Sequence, residues 1–448
     1  MKKLWSSILC MLFCVAFTGT LWAGGQQEAT GSPGASSANG STKESQVTAY
    51  VPSGKLLVWS WIDKWDEKYF NPYKELNPGV EIEYMYVARA DYLKKLQASI
   101  SGGLPVPDII WLNLDERKRI FDFGILDDLL KAPYNFDTNS VFSYTIAQNS
   151  DSKGRLLGIP WDIATGGIAV RNDIAQTYFG VNDLAGIELL YKDWATTLQT
   201  GKILKEKSKG EVFLFSSLDD ISAITFAQNI HDLIESDGTV NLTKVFTAVY
   251  STVVPFRDAG VVNMNRFADG SWLGSMGKGT AMTFFSPLWM VPVFEMFDGK
   301  GPVGRWTAVG APGGAYISGG TSFGVYGKSK NKSLAWDFIN WLLLSKEGAE
   351  LNKKVEAKFI SFKAAYDDPT YPVLTHPRFG TQDIGTKYSV DYVKDVHNLP
   401  VNDIEAGVKE IITQINVKLM TEPAMTVDDA VAMMKREFGQ RYPEYTYK

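Results

Sequence analysis

Short apolar, β-prone runs alternate with segments of helical period along most of this chain, and that alternation restricts the fold more than any other feature. Residues 55–59, Lys-Leu-Leu-Val-Trp, form such a run after Pro52 and Gly54, and a helical segment follows through Tyr73 and Leu76. Asn77-Pro78-Gly79 then breaks the chain before a second strand over residues 80–87. Asp91 opens an amphipathic helix with Leu93, Leu96 and Ile100 on one face, and Gly102-Gly103 ends it. Residues 107–111, Pro-Asp-Ile-Ile-Trp, read as a third, buried strand. Strands separated by helices predict parallel α/β layers rather than a sandwich.

The pattern continues downstream. Residues 156–170 are rich in Gly and β-branched side chains and are interrupted by Pro160. Helices are expected around Trp194 and Leu198, over 221–234 and over 242–253, followed by a buried strand over 281–285. The glycine-rich run 313–324 suits a chain crossing that must bend. Residues 334–344, 401–419 and 427–438 have helical amphipathic patterns, and no internal repeat is present.

The N-terminus has a different character. Lys2 and Lys3 precede an apolar stretch from Leu4 to Phe17, and small residues then lead to Ala23, the order of a secretory signal over residues 1–23. Leu21 stands where a small residue is usual before the cleavage site. Both cysteines, Cys10 and Cys14, lie in this segment, and Leu9 and Phe13 before them are not the small residues that lipid attachment requires. The expected mature chain therefore has no disulfide and no thiolate site. Residues 24–50 are mostly Gly, Ser, Ala, Thr, Gln and Glu, with one Pro and only Val47 as a larger aliphatic residue, a flexible leader. A formal charge of -5 without basic blocks argues against nucleic-acid binding. Beyond the signal, no apolar run approaches the length of a membrane span. A periplasmic or extracellular location is expected.

The segments GKLLVWSWIDKW, FNPYKELNPGVEIEY, YLKKLQASISGGLPVPDII, GRLLGIPWDIATGGIAVRND, GKGTAMTFF and SKNKSLAWDFINWLLLSKEG, in this order and at these distances, resemble the bacterial extracellular solute-binding proteins of the maltodextrin-binding type. The similarity runs from about Tyr50 to Phe438 and rests on the ordered set rather than on any one piece. It implies a periplasmic-binding-protein-like α/β fold, with two discontinuous lobes joined by a hinge and a ligand cleft between them. The lobes would comprise residues 51–162 plus 318–345 and residues 163–317 plus 346–448. It also implies a monomer that closes on a sugar-like solute and delivers it to the permease subunits of an ABC importer, without a cofactor. A polyol or a sugar phosphate is the alternative ligand.

Composition agrees with a carbohydrate. Of 13 tryptophans, Trp5 and Trp22 fall in the signal and the rest remain. Apolar sugar faces stack on aromatic rings, while hydroxyls bridge carboxylate, amide and guanidinium groups. Trp59, Trp61, Trp65, Trp111, Trp161 and Trp289 sit at or just beyond expected strand ends, where open α/β sheets bind ligands; core packing is the alternative for each. Trp161-Asp162 begins the first crossing between lobes and pairs a stacking platform with an acceptor, making it the leading candidate, and Thr165 continues the same crossing. By the resemblance, Asp63 and Lys64 match an acidic and a basic residue that contact sugar hydroxyls, and Asp115 matches a further ligand carboxylate. Glu116 replaces an Arg of the relatives, which speaks against a linear maltodextrin. Trp289 is displaced by one from the relatives' stacking Trp, with Leu288 at the aligned position. Thr321 at the second crossing, Trp61, and Arg89 after the second strand complete the candidates.

Enzyme readings find weaker support. Gly320-Thr-Ser322-Phe-Gly324 fits G-x-S-x-G, with His376 and His397 downstream in hydrolase order, but a nucleophile elbow needs a helix after the serine, and a strand-like run follows it here. Gly327-Lys328-Ser329 lacks the upstream glycine of a P-loop. His231, His376 and His397 have no metal-site spacing. The Asp127-Asp128, Asp219-Asp220 and Asp428-Asp429 pairs lack the alternating ligands of a calcium loop and read as helix starts or solvated faces. A binding protein is expected, not an enzyme, and no metal.

Overall fold

The computed structural model describes residues 50–448 apart from 299, 357, 372–374, 394, 395 and 397–399. The expected signal, the leader and His397 lie outside the described residues. The strands are β1 (Gly54–Ser60), β2 (Val80–Tyr86), β3 (Ile109–Asn113), β4 (Ile159–Pro160), β5 (Thr165–Arg171), β6 (Phe213–Phe215), β7 (Ala281–Pro287), β8 (Trp306–Val309), β9 (Tyr316–Ile317) and β10 (Thr321–Val325). One sheet has the order β2-β1-β3-β10-β4, and the other the order β6-β7-β5-β8 with β9 against β5.

The expected parallel pairing holds for β2, β1 and β3 and for β6 with β7. It fails for the strands that connect the sheets. β10 runs against β3, with Thr321 opposite Asn113, and β5 runs against β7, β8 and β9. Each connecting strand enters its sheet at the edge where neighbouring strands end: β10 begins beside the C-terminal end of β3, and β5 beside that of β7. A helical crossover keeps successive strands parallel, whereas a strand arriving from the other sheet is free to run the opposite way. β5 is buried at all seven positions, and it can lie against β8 only with glycine in place, since a Cβ on Gly167 would stand 2.0 Å from the Val309 carbonyl oxygen.

Each sheet has its own core. Leu56, Val58, Trp111, Phe323 and Phe338 belong to the first, and Ile168, Val170, Ile221, Phe284 and Ile415 to the second. The helix Glu405–Thr421 turns Val408, Ile411, Ile412, Ile415 and Leu419 inward. Spacing of four then aligns Glu405, Lys409 and Thr413 on a single stripe away from that apolar one.

The expected lobe boundary after residue 345 falls between two helices. Ser345 breaks one helix, Lys332–Leu344, from the next, Lys346–Glu356, accepting from the Gly348 N–H at 3.0 Å. The second helix nevertheless stays on the first core through Ala349. Beyond it the chain alternates between the two cores, with Phe359 in the second, Ile360 and Ala365 in the first, and Phe379 in the second. A helix break is local, and the core that a helix joins depends on where its apolar face finds partners.

Candidate functional site

Three segments form the junction between the sheets. The Trp161 and Asp162 backbone N–H groups both donate to the Thr321 carbonyl, at 2.8 and 3.3 Å. Asp162 Oδ1 accepts from the Thr321 N–H at 2.5 Å, and Oδ2 lies 3.5 Å from Lys358 Nζ. The Ile163 N–H donates to the Phe359 carbonyl at 3.1 Å, and Ser361 Oγ to the Pro160 carbonyl at 3.0 Å. Asp162 thus ties the first crossing to the other two segments. Gly319 and Gly320 have φ of 87° and 106°, where a side chain would be strained. Arg117 is buried and donates to the carbonyls of Leu112, Gln148 and Gly320 at 3.0, 3.1 and 3.2 Å, anchoring the second crossing. Burial pulls its pKa down to about 10, against the fields of Asp162, Asp115 and Glu405.

Trp161 is a packing residue, which corrects its expected role as a stacking platform. It is 1% exposed, and its Nε1 donates to Asn352 Oδ1 at 2.6 Å. Its ring packs among Tyr69, Trp111 and Phe323 at centroid distances of 5.3, 5.1 and 5.1 Å, with Lys358 Nζ 4.3 Å from the ring centre. No face of the ring is left for a ligand. Thr165 and Thr321 are buried in the same junction, and Thr321 serves it through its backbone.

Beside the junction lies a cleft of about 380 Å³ with walls from both halves of the fold. Asp115 enters from the first half, at the start of the helix Leu114–Asp122, where Asn113 Oδ1 accepts from its N–H at 3.2 Å. The second half supplies Asp219 and Ser222 from the helix Leu218–Asn229, Arg266 and Phe267 from a loop, and Trp289 after β7. Glu405, Lys409 and Thr413 face it from their shared stripe.

Local chemistry explains these orientations. Ser217 caps its helix and the Asp220 carboxylate turns inward, accepting from the Ser217 N–H and from Trp272 Nε1, each at 3.1 Å. Burial raises the Asp220 pKa well above the carboxylate range. The adjacent Asp219 accepts from Asn416 Nδ2 at 2.7 Å and from the Phe267 N–H at 3.0 Å, and remains at the cleft wall. Trp289 is half-buried, with its Nε1 donating to the Ser318 carbonyl at 2.7 Å, while the neighbouring Leu288 is buried.

Lys409 lies 2.8 Å from Glu405 and 3.1 Å from Asp115, an ion-pair group that spans the two halves. The Lys409 charge lowers the Asp115 pKa. Burial alone would lower that of Lys409, but Glu405 and Asp115 outweigh it and raise it. Among the described residues, the Arg266 guanidinium makes no ion pair or hydrogen bond.

The candidates read from sequence therefore separate into three places. Asp115 and Trp289 share the cleft; Trp161, Asp162, Thr165 and Thr321 lie in the junction. The remaining four are at the rim of the first sheet. Asp63 and Lys64 are exposed, with Lys64 3.6 Å from Glu67. Trp61 packs on Tyr92 and Trp111, and the Arg89 guanidinium lies 5.2 Å over its ring. Arg89 also pairs with Glu116 at 2.8 Å, so Glu116, where relatives carry Arg, has a partner within its own half. Asp219, Ser222, Arg266, Phe267, Glu405, Lys409 and Thr413 were not anticipated. The spacing of four along the last-but-one helix was a readable signal for three of them.

Ser322 lies inside β10, opposite Leu112 and Pro160, and is 1% exposed, so the G-x-S-x-G run is strand and not a nucleophile elbow. Among the described residues, no cluster of three His, Cys, Asp or Glu could hold a metal, and no helix is long and apolar enough to cross a membrane.

The family model for bacterial extracellular solute-binding proteins matches residues 68–376, which take in most of the cleft wall and every strand of the two sheets except β1. The chain belongs to that family. This solute-binding protein has the periplasmic-binding-protein-like fold, as its likeness to solved structures shows. A family 1 extracellular solute-binding protein superposes with a TM-score of 0.75 at 19% identity, covering 86% of this chain and 99% of the other. The sugar-binding protein MalE of Xanthomonas citri gives 0.70 at 15% identity, covering 87% and 99%. The galacto-N-biose-/lacto-N-biose I-binding protein of the ABC transporter of Bifidobacterium longum, solved with lacto-N-biose, gives 0.71 at 14% identity, covering 90% and 100%. No curated protein sequence matches the chain.

Proposed function

We propose that this solute-binding protein takes a carbohydrate into the cleft beside the junction and delivers it to an ABC importer. The observation that carries the reading is the cleft wall, where Trp289 and Phe267 offer aromatic surface beside Asp115, Asp219, Arg266 and Thr413, from both halves of the fold. Aromatic surface suits the C–H faces of a sugar ring, and carboxylates and guanidinium groups suit its hydroxyls. The MalE and lacto-N-biose-binding relatives, both described as sugar-binding, support this reading. Asp115 and Trp289 are the proposed ligand contacts among the residues anticipated from sequence; Asp162 and Thr321 are proposed to hold the hinge. The protein acts as a monomer outside the cytoplasm, and ligand draws the halves together about the glycines of the second crossing.

Thermal-shift measurements against a panel of sugars and polyols test the ligand class, since a ligand bound only by the folded state raises the melting temperature. The expected outcome is a shift with at least one sugar, stoichiometric retention without turnover, and a smaller radius of gyration in scattering with ligand bound. Turnover of the sugar would mark an enzyme, and shifts with polyols alone would replace the ligand class. A sugar phosphate is the second reading, favoured by the Arg266 guanidinium at the cleft, which has no partner among the described residues.

A further inference from the structure

Successive residues of a helix point about 100° apart, so Asp219 and Asp220, in the first turn of the helix Leu218–Asn229, send their carboxyl groups different ways. Asp220 is buried and accepts from Trp272 Nε1 through both oxygens, at 3.1 Å each. Asp219 stays at the cleft wall and accepts from the Phe267 N–H at 3.0 Å. Phe267 packs on Trp272 with ring centroids 4.7 Å apart, so the two acids hold one loop, by its backbone and by its aromatic partner. We infer that Asp219 is a positioning residue that sets the Arg266-Phe267 corner of the cleft before a solute arrives, with Asp220 securing Trp272 beneath it. The inference rests on the reading of this cleft as the solute site.

The corner needs holding. Ala268 has a φ of 64°, a conformation that is costly for a residue with a side chain and persists where its neighbours impose it. The Asp269 N–H donates to the Arg266 carbonyl at 3.2 Å, and Asp269 Oδ1 accepts from the Trp272 N–H at 2.7 Å to cap the helix Gly270–Lys278. Arg266 and Phe267 are exposed, so packing covers little of either. The bond from the Phe267 N–H is to a carboxylate, the stronger kind, and that carboxylate is itself fixed. Asn416, buried on the helix Glu405–Thr421, donates to Asp219 Oδ1 at 2.7 Å and to Ser222 Oγ at 2.8 Å. Phe267 stands edge-on to Phe285 with centroids 5.8 Å apart, and Phe285 to Trp289 at 6.1 Å, so the corner sets one end of the aromatic wall. A wall ordered in advance spares a bound solute the entropy of ordering it.

Trypsin cleavage after Arg266, with cleavage after Lys153 in an exposed turn of the first half as reference, reads the loop without any solute. Asp219→Ala should raise the Arg266 rate about tenfold relative to Lys153, the factor that one lost charge-assisted hydrogen bond supplies. Asp219→Asn keeps an acceptor and should stay within about threefold of the parent. A rise at both sites alike, or none at Arg266, would overturn the positioning. Calorimetric titration with glucose, galactose, maltose and lactose reads the consequence for binding. Asp219→Ala should weaken the sugar that the parent binds by about tenfold, but by no more than about twofold when Arg266→Ala and Phe267→Ala have already removed the corner. Equal losses in both backgrounds would mean that Asp219 touches the sugar itself and would overturn the inference. If the parent binds none of these sugars, the carbohydrate reading loses its support, whereas the trypsin rates still decide the corner.

Discussion

The junction and the cleft are built from the same kinds of residue and differ in what those residues touch. Trp161 with Asp162 puts an indole beside a carboxylate in the junction, and Trp289 and Asp219 line the same cleft. In the junction both side chains are engaged: the Trp161 indole binds Asn352, and Asp162 holds Thr321 and Lys358. In the cleft the Trp289 indole N–H is engaged, but the ring stays half-buried at the wall, and Arg266 has no partner among the described residues. An aromatic ring serves a ligand only where the fold leaves part of it uncovered. Where the fold closes over it, it is structure.

Substitutions at the two places should separate accordingly, and the largest effect belongs to the junction. Trp161→Ala removes a fully buried indole and leaves a cavity among Tyr69, Trp111 and Phe323, with an expected loss of about 3–5 kcal/mol in unfolding free energy by denaturant titration. The comparison breaks if this variant keeps its stability and loses ligand affinity instead. Trp289→Ala should reverse the pattern, with affinity falling by about 1–3 kcal/mol in calorimetry and the melting temperature of the free protein changing less than in Trp161→Ala. A normal affinity in that variant would remove Trp289 from the site.

Smaller effects sharpen the contrast. Asp162→Asn retains an acceptor for the Thr321 N–H and loses the charge opposite Lys358, so about 1 kcal/mol of stability is expected to go. The smallest effect concerns Asp115 and Lys409, which face solvent with 43% and 32% of their side-chain surfaces and contribute no more than ~1 kcal/mol together. Because Lys409 lowers the Asp115 pKa in the folded state, this contribution is present above the unfolded carboxylate value and is lost as pH falls through the folded one. Lys409→Met should therefore be less stable than the parent at pH ~7, with the gap closing below pH ~4. A gap independent of pH would mean that the ion pair is not its source.

Much of the architecture was legible in the chain. The runs ending at Trp59 and Trp111 are β1 and β3, and the helical pattern over 401–419 is the helix Glu405–Thr421. The glycine-rich run 313–324 does contain a crossing. The antiparallel course of β5 and β10 was not legible, because strand direction depends on which sheet the chain comes from. The resemblance placed residues 346–448 in the second lobe, whereas Ala349 of the helix Lys346–Glu356 packs in the first core, a contact that only tertiary packing sets.

Local order and family membership follow from the sequence by itself, because hydrophobic period, turn residues and the succession of segments are properties of neighbouring positions. Which tryptophan is free and which acid faces the cleft were decided by the tertiary structure alone. Trp161 is closed off by Asn352, 191 positions away, and Asp219 is held at the cleft wall by Asn416, 197 positions away. Exposure is set by what packs against a side chain, and contacts between such distant positions exist only once the two sheets and their connecting segments have come together.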